Sequence, residues 1–399
     1  MKSKLFFFNL LLLGVFIPFI GGGSFAKLGY FFLLAALLLA FPIFGKPAKK
    51  AILNTTTTYL YVFLLFYLLT SSFDVLGCVA IFGRLCAPIF FALLASLLNK
   101  CPYLYTVQRY FLFIWILVLC FFEIQSLNFI AQNPMGLREL VSTQKDDSLI
   151  IGGGFSLPYS LAILIPGLLL FNKQKSLPKV TRAIGLVLCA FFALLVFSAL
   201  YMTAIILMIA GIGLALVYGY SRSKQALIMI MILVAAVISY EFIPILINEF
   251  SPEGTNILIR RFDEIDSLLS GNNVSQSQDL FSRLQLSLTS IKTFLENPIL
   301  GIGWESGYNF YALEKSGVGS HAQWFDIFAC YGIFAILLIK YLQKSATLTI
   351  KKANVTLTLF VILGFLNPCL QFTIVFVAYC LVPMCRLLLF DINGVKLAK

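Results

Sequence analysis

Apolar runs long enough to cross a bilayer recur from one end of this chain to the other. A hydrocarbon core about 30 Å thick needs about 20 apolar residues in helical form. These runs are continuously apolar rather than alternating, which excludes a β-barrel. The expected fold is therefore all-α: a polytopic transmembrane helical bundle. Composition agrees, since 60% of residues are hydrophobic and only 12% charged, against about 25% charged in soluble domains.

Taken in order, the runs predict about 12 spans, near 5–20, 28–45, 58–73, 79–98, 110–127, 157–171, 183–200, 203–220, 225–246, 323–342, 353–368 and 370–389. The first run, followed by Gly21-Gly-Gly-Ser-Phe-Ala26, has a looser reading as a signal segment; a first span fits better because another follows at once. Two polar segments interrupt the pattern, at 128–156 and 247–322. The chain thus divides into 1–246 (nine spans), 247–322 (a large loop) and 323–399 (three spans and a tail).

The net charge of +12 belongs to short loops, not to a nucleic-acid surface. With the N-terminus inside, most of the 29 lysines and arginines fall inside, and of the 17 acids only Asp391 does. That is the asymmetry expected of a cytoplasmic face. Both termini are then cytoplasmic and both long segments lie outside. The nine cysteines are scattered without a CxxC pair, and a single histidine supports no zinc site of the usual spacing. No metal and no cofactor are expected.

A loop as long as 247–322 usually carries function or structure of its own. Ser275 to Gln278 has the S-x-x-Q form of a capping box. Leu280, Leu284, Leu288, Ile291 and Leu295 follow at helical spacing. Arg283, Ser287 and Ser290 lie off that face, and Asn297-Pro298 stops the helix. Such a helix either lies on the membrane surface or caps the bundle.

Gly301-Ile-Gly303 then reads either as a tight turn or as a close backbone approach to a phosphate or sugar. Arg260 and Arg261, beside Asp263 and Glu264, read either as a surface ion cluster or as part of a phosphate clamp with Arg283. His321 stands just before a span and suits either a structural hydrogen bond or a general base. Arg84 lies inside a span, where a charge is costly and hints at function unless it pairs with Asp74 or Asp326 or snorkels to the interface.

The order of these features resembles the O-antigen ligase and O-antigen polymerase superfamily, bacterial membrane glycosyltransferases of GT-C type. The matching residues are Arg-Arg-Phe-Asp-Glu at 260–264, Ser282-Arg283-Leu284, Asn297-Pro-Ile-Leu-Gly301-Ile-Gly303, His321 and Tyr331-Gly332-Ile-Phe334. The resemblance implies an inner-membrane enzyme acting at the periplasmic face on an undecaprenyl-pyrophosphate-linked glycan, without metal. It implies Arg283, His321 and Arg261 as catalytic residues; Arg260, Arg84, Gly301, Gly303 and Arg138 are the residues expected to bind substrate. It also implies the lipid bilayer as surroundings, a chain-length regulator and a flippase as partners, and no nucleic acid.

Two departures bear on the kind of enzyme. His321 is followed by Ala322 rather than the usual asparagine, and the turn Ser198-Ala-Leu-Tyr-Met-Thr203 lacks the arginine common in ligases. The expectation is polymerisation of repeat units into O-antigen or capsular polysaccharide. Transfer of finished glycan to lipid A-core is the alternative, and a flippase or transporter the less favoured one.

Overall fold

A computed structural model describes residues 23–71, 73–100, 104–132, 156–172, 179–217, 278–303, 318–319, 321–349 and 354–385, with part of 6–18. All regular structure among them is helical. In chain order the helices are α1 (Gly23–Phe44), α2 (Lys46–Ile52), α3 (Thr55–Thr70), α4 (Val75–Leu85), α5 (Ala87–Lys100) and α6 (Leu104–Gln132). Then come α7 (Ser156–Asn172), α8 (Lys179–Ser198), α9 (Met202–Val217), α10 (Gln278–Glu296) and α11 (Gln323–Tyr331). A 3₁₀ turn at Gly332–Phe334 leads to α12 (Ala335–Thr349), followed by α13 (Asn354–Leu366) and α14 (Phe372–Phe376).

Helices stand at the predicted spans wherever these fall on described residues; the span near 225–246 lies outside them. Three helical stretches among the described residues are long and apolar enough to cross a membrane: Arg109–Gln132, Lys179–Ser198 and Gln323–Ala346. Counting each bent pair, α2 with α3 and α4 with α5, as one span makes five. These long apolar helices suggest a multi-pass membrane protein.

The bends have local causes. Asn54 accepts from the Thr56 and Thr57 N–H groups at 2.8 and 3.0 Å, while its own N–H donates to the Thr57 hydroxyl at 3.0 Å. This reciprocal cap starts α3 afresh, at 58° to α2. Between α4 and α5 the chain bends by 53° at Cys86.

Helix α7 is central: residues 156–168 are all buried, and α8, α9, α13 and α14 pack around it. Gly211 of α9 faces Pro166 of α7, where a Cβ would overlap the ring. Close approach through small residues is how helices associate without a hydrophobic drive in lipid. Helix α14 continues as a π-turn at Val377–Leu381, wholly buried against this centre.

Helices α3 and α11–α12 run antiparallel. Lys344 donates to the Tyr59 hydroxyl at 3.0 Å, the Phe66 and Phe334 rings stack at 3.9 Å, and the Tyr67 and Tyr331 rings lie 6.2 Å apart. Residue numbers rise in one helix as they fall in the other, so the Lys344 end and the Gln323 end of the bundle are distinct.

Candidate functional site

The site is built around α10, α11 and the turn between α10 and Gly303. Helix α10 begins at Gln278 and ends at Glu296, with the Asn297 N–H donating back to the Thr293 carbonyl at 3.0 Å. Its end is where Asn297-Pro298 predicts it. Ser275 of the expected capping box lies outside the described residues.

The orientation of α10 selects between the two expected placements. Ser290 and Thr293 are buried against the bundle, whereas Leu284, Leu288 and Leu295 point outward. The leucine face does not cap the bundle. Ser290 and Thr293 face the protein together with Leu286 and Phe294, which pack on Gly319 and Phe328, while Gln285, Thr289, Lys292 and Glu296 share the outward side with the leucines. The Ser290 hydroxyl donates to Asp326 Oδ1 at 2.6 Å, and the Gly319 N–H donates to Ser290 Oγ at 2.8 Å. Ser290, Gly319 and Asp326 are all buried, where the low dielectric strengthens such bonds.

That network brings the two foremost candidates to one end of the α10–α11 pair. Gly319 packs so tightly on Leu286 that a Cβ there would overlap the Leu286 backbone. Arg283 is one turn before Leu286 on α10, and His321 is two residues beyond Gly319. Both side chains are half-buried. Ser287 Oγ donates to the Arg283 carbonyl at 3.0 Å.

Ala322, the residue after the histidine, occupies the N-cap of α11 without a side-chain cap bond. Asparagine is among the best residues for that position, so this departure removes a helix cap. Other ties hold the start of α11. Gln323 Oε1 accepts from the Leu370 N–H at 3.2 Å, and Trp324 Nε1 donates to the Val361 carbonyl at 2.8 Å. Gly364 leaves room for the Trp324 ring against α13.

Gly301 and Gly303 have φ of 71° and 73°, which favours glycine. Their N–H groups donate to the Asn297 and Cys330 carbonyls, each at 3.0 Å. Ile302 donates to the Ala329 carbonyl at 3.0 Å, and Ile333 to the Pro298 carbonyl at 2.9 Å. Helix α11 breaks at Gly332, whose φ is 55°, and the break frees carbonyls that this turn satisfies. The tight-turn reading is therefore realised. Both glycine N–H groups are bonded to carbonyls of the protein.

Arg84 sits elsewhere, at the end of α4 just before the bend. It lines a small cavity with Phe63, Ile81, Leu85, Tyr331, Leu338 and Leu370, and lies beside the buried Tyr30. Of its suggested acidic partners, Asp74 caps α4 by accepting from the Gly77 N–H and the Tyr67 hydroxyl, each at 2.9 Å. Asp326 accepts from Ser290. Tyr331 joins the cavity to the α10–α11 pair, since its carbonyl neighbour Cys330 holds Gly303. Arg138, Arg260 and Arg261 lie outside the described residues.

Two features escape a reading of spacing. One is the Ser290–Asp326 pair, distant in sequence. The other is Glu123 in α6, fully buried, with neither carboxylate oxygen hydrogen-bonded among the described residues. A lone acid inside an apolar run was the available signal for it. No group of three or more His, Cys, Asp or Glu side chains that could hold a metal occurs among the described residues.

No protein-family model matches the chain, and no curated protein matches it.

Proposed function

We propose that this chain is a multi-pass inner-membrane glycosyltransferase of about 12 spans, both termini cytoplasmic, that polymerises undecaprenyl-pyrophosphate-linked repeat units at the periplasmic face. The observation supporting this reading most is the gathering of Arg283 and His321 at one end of the α10–α11 pair, across the Leu286–Gly319 contact.

In this reading the Arg283 guanidinium, with Arg261 and Arg260, binds the pyrophosphate of the donor. A planar fork of donors suits phosphate oxygens. The acceptor hydroxyl attacks the anomeric carbon of the donor sugar. A new C–O bond forms, the bond to the pyrophosphate oxygen breaks, and the lipid pyrophosphate leaves with the electron pair. A single displacement of this kind inverts the anomeric configuration. His321 orients the hydroxyl or takes its proton. The arginines act where negative charge develops, which is where fixed cations stabilise a transition state.

The chemistry is tested in a deletion strain. A polymerase requires lipid A-core bearing a single repeat unit to accumulate. Loss of all capping, with lipid-linked polymer building up, would assign the chain to ligation instead. Unchanged polysaccharide would overturn both readings.

A further inference from the structure

Three helices change the character of their exposed surface at the same end of the bundle. From residue 28 on, α1 exposes Leu28, Phe31, Leu38 and Pro42, and the next exposed side chain is Lys46. The middle of α3 exposes Val62, Leu65 and Leu69, whereas its start exposes Thr55 and Thr58. On α12 the exposed Ile336 is followed, at helical spacing, by exposed Lys340 and Gln343. Each apolar stripe stops toward the Lys344 end. There α1 runs into α2 and α2 into α3, and the Tyr59 hydroxyl of α3 accepts from Lys344 at 3.0 Å.

Helix α2 closes this boundary. Ala48, Ala51 and Ile52 are buried and the helix packs on α5, while Lys46, Lys49 and Lys50 are exposed. Asn54 ties its end down by donating to the Ala51 carbonyl at 2.9 Å while capping α3. On the neighbouring helix, the Lys344 ammonium lies 4.5 Å from the centroid of the Tyr59 ring, an attractive contact for a cation. Residues 45–62 and 335–349 carry these five lysines and no acid. Lysines that only set orientation would serve anywhere in the short loops. Here three are presented by a helix docked on the bundle and a fourth is held by a tyrosine, so the charges form a fixed surface. Apolar stripes ending in cations match a bilayer boundary, with acyl chains along the stripes and lipid phosphates level with the ammonium groups. An anionic leaflet strengthens association with such a cluster by about fivefold per lysine.

We propose that the Lys344 end is a binding surface for anionic phospholipid headgroups, formed by Lys46, Lys49, Lys50, Lys340 and Lys344. This rests on the membrane reading alone, so it stands or falls independently of glycosyl transfer.

The full chain reconstituted in phosphatidylcholine bilayers tests it. Spin-labelled phosphatidylglycerol and spin-labelled phosphatidylcholine are added in turn, and electron spin resonance gives the share of each immobilised at the protein. Phosphatidylglycerol should associate severalfold more strongly at low salt. That preference should shrink at about 1 M salt, where charges are screened within about 3 Å. Lys46→Gln, Lys49→Gln, Lys50→Gln, Lys340→Gln and Lys344→Gln combined should lower it by about half or more. The same five positions changed to arginine should keep it, which separates lost charge from a damaged fold. Lys292→Gln, on α10 beside the Gln323 end, should leave it unchanged. Equal association of the two lipids with the native chain would overturn the proposal. A preference that survives the five glutamines, or that falls as far with Lys292→Gln alone, would place the contact on other residues and overturn it equally.

Discussion

The Ser290 hydroxyl bridges two segments, donating to Asp326 at 2.6 Å and accepting from the Gly319 N–H at 2.8 Å. It therefore joins α10, the stretch before His321 and α11 in one buried point. Removing it leaves an acceptor and a donor short of a partner where water cannot replace it. Ser290→Ala should cost about 1–3 kcal/mol. A lowered Tm in detergent, with activity falling in parallel, is the expected result. An unchanged Tm would mean that the network does not hold the segments together.

The two glycines of the turn should differ, although their φ angles are alike. A Cβ on Gly301 would run into the Cys330 carbonyl, whereas one on Gly303 meets open space. Gly303→Ala carries the left-handed penalty of about 1–2 kcal/mol. Gly301→Ala carries that penalty plus displacement of the turn from the α11 break. Thermal unfolding of the two variants should rank Gly301→Ala as clearly the worse. Loss of activity in Gly303→Ala at unaltered Tm would support a phosphate-contact role for that residue.

The apolar runs made the helices legible, since membrane-spanning length is a property of composition and order. The bends were not legible. The break at Gly332 depends on N–H groups at 302 and 303 that reach it from another segment. The facing of α10 was half legible: leucine spacing located the stripe, but only the partnership of Ser290 with Asp326 turned it outward. Arg283 and His321 could be singled out as residue types. Their shared location follows from the Gly319–Leu286 contact, which no spacing encodes.

Arg283 and His321 should affect reaction more than fold, since both are half-buried rather than core. If Arg283 binds pyrophosphate, Arg283→Ala should lower turnover of a lipid-pyrophosphate donor by about 10²–10³, the effect of losing one charge-stabilising donor. Arg283→Lys should fail to rescue it, because an ammonium cannot offer two parallel N–H donors. Polymer assays at matched protein level, beside a Tm measurement, separate the roles. Normal polymer from Arg283→Ala or His321→Ala would remove that residue from the site.

Glu123 presents the opposite case, a polar group with no visible reward. Its side chain is fully buried in α6, with neither carboxylate oxygen hydrogen-bonded among the described residues. A carboxyl group without a hydrogen bond forfeits its hydration on burial, and a neutral amide of the same shape is no costlier to bury. Glu123→Gln should therefore raise or preserve Tm, while Glu123→Ala, which adds a void, should lower it. Polysaccharide assays on the same variants complete the experiment. Full activity in Glu123→Gln assigns the residue to packing alone. A stable but inactive Glu123→Gln would make the carboxyl group itself functional, as ionisable residues within spans commonly are.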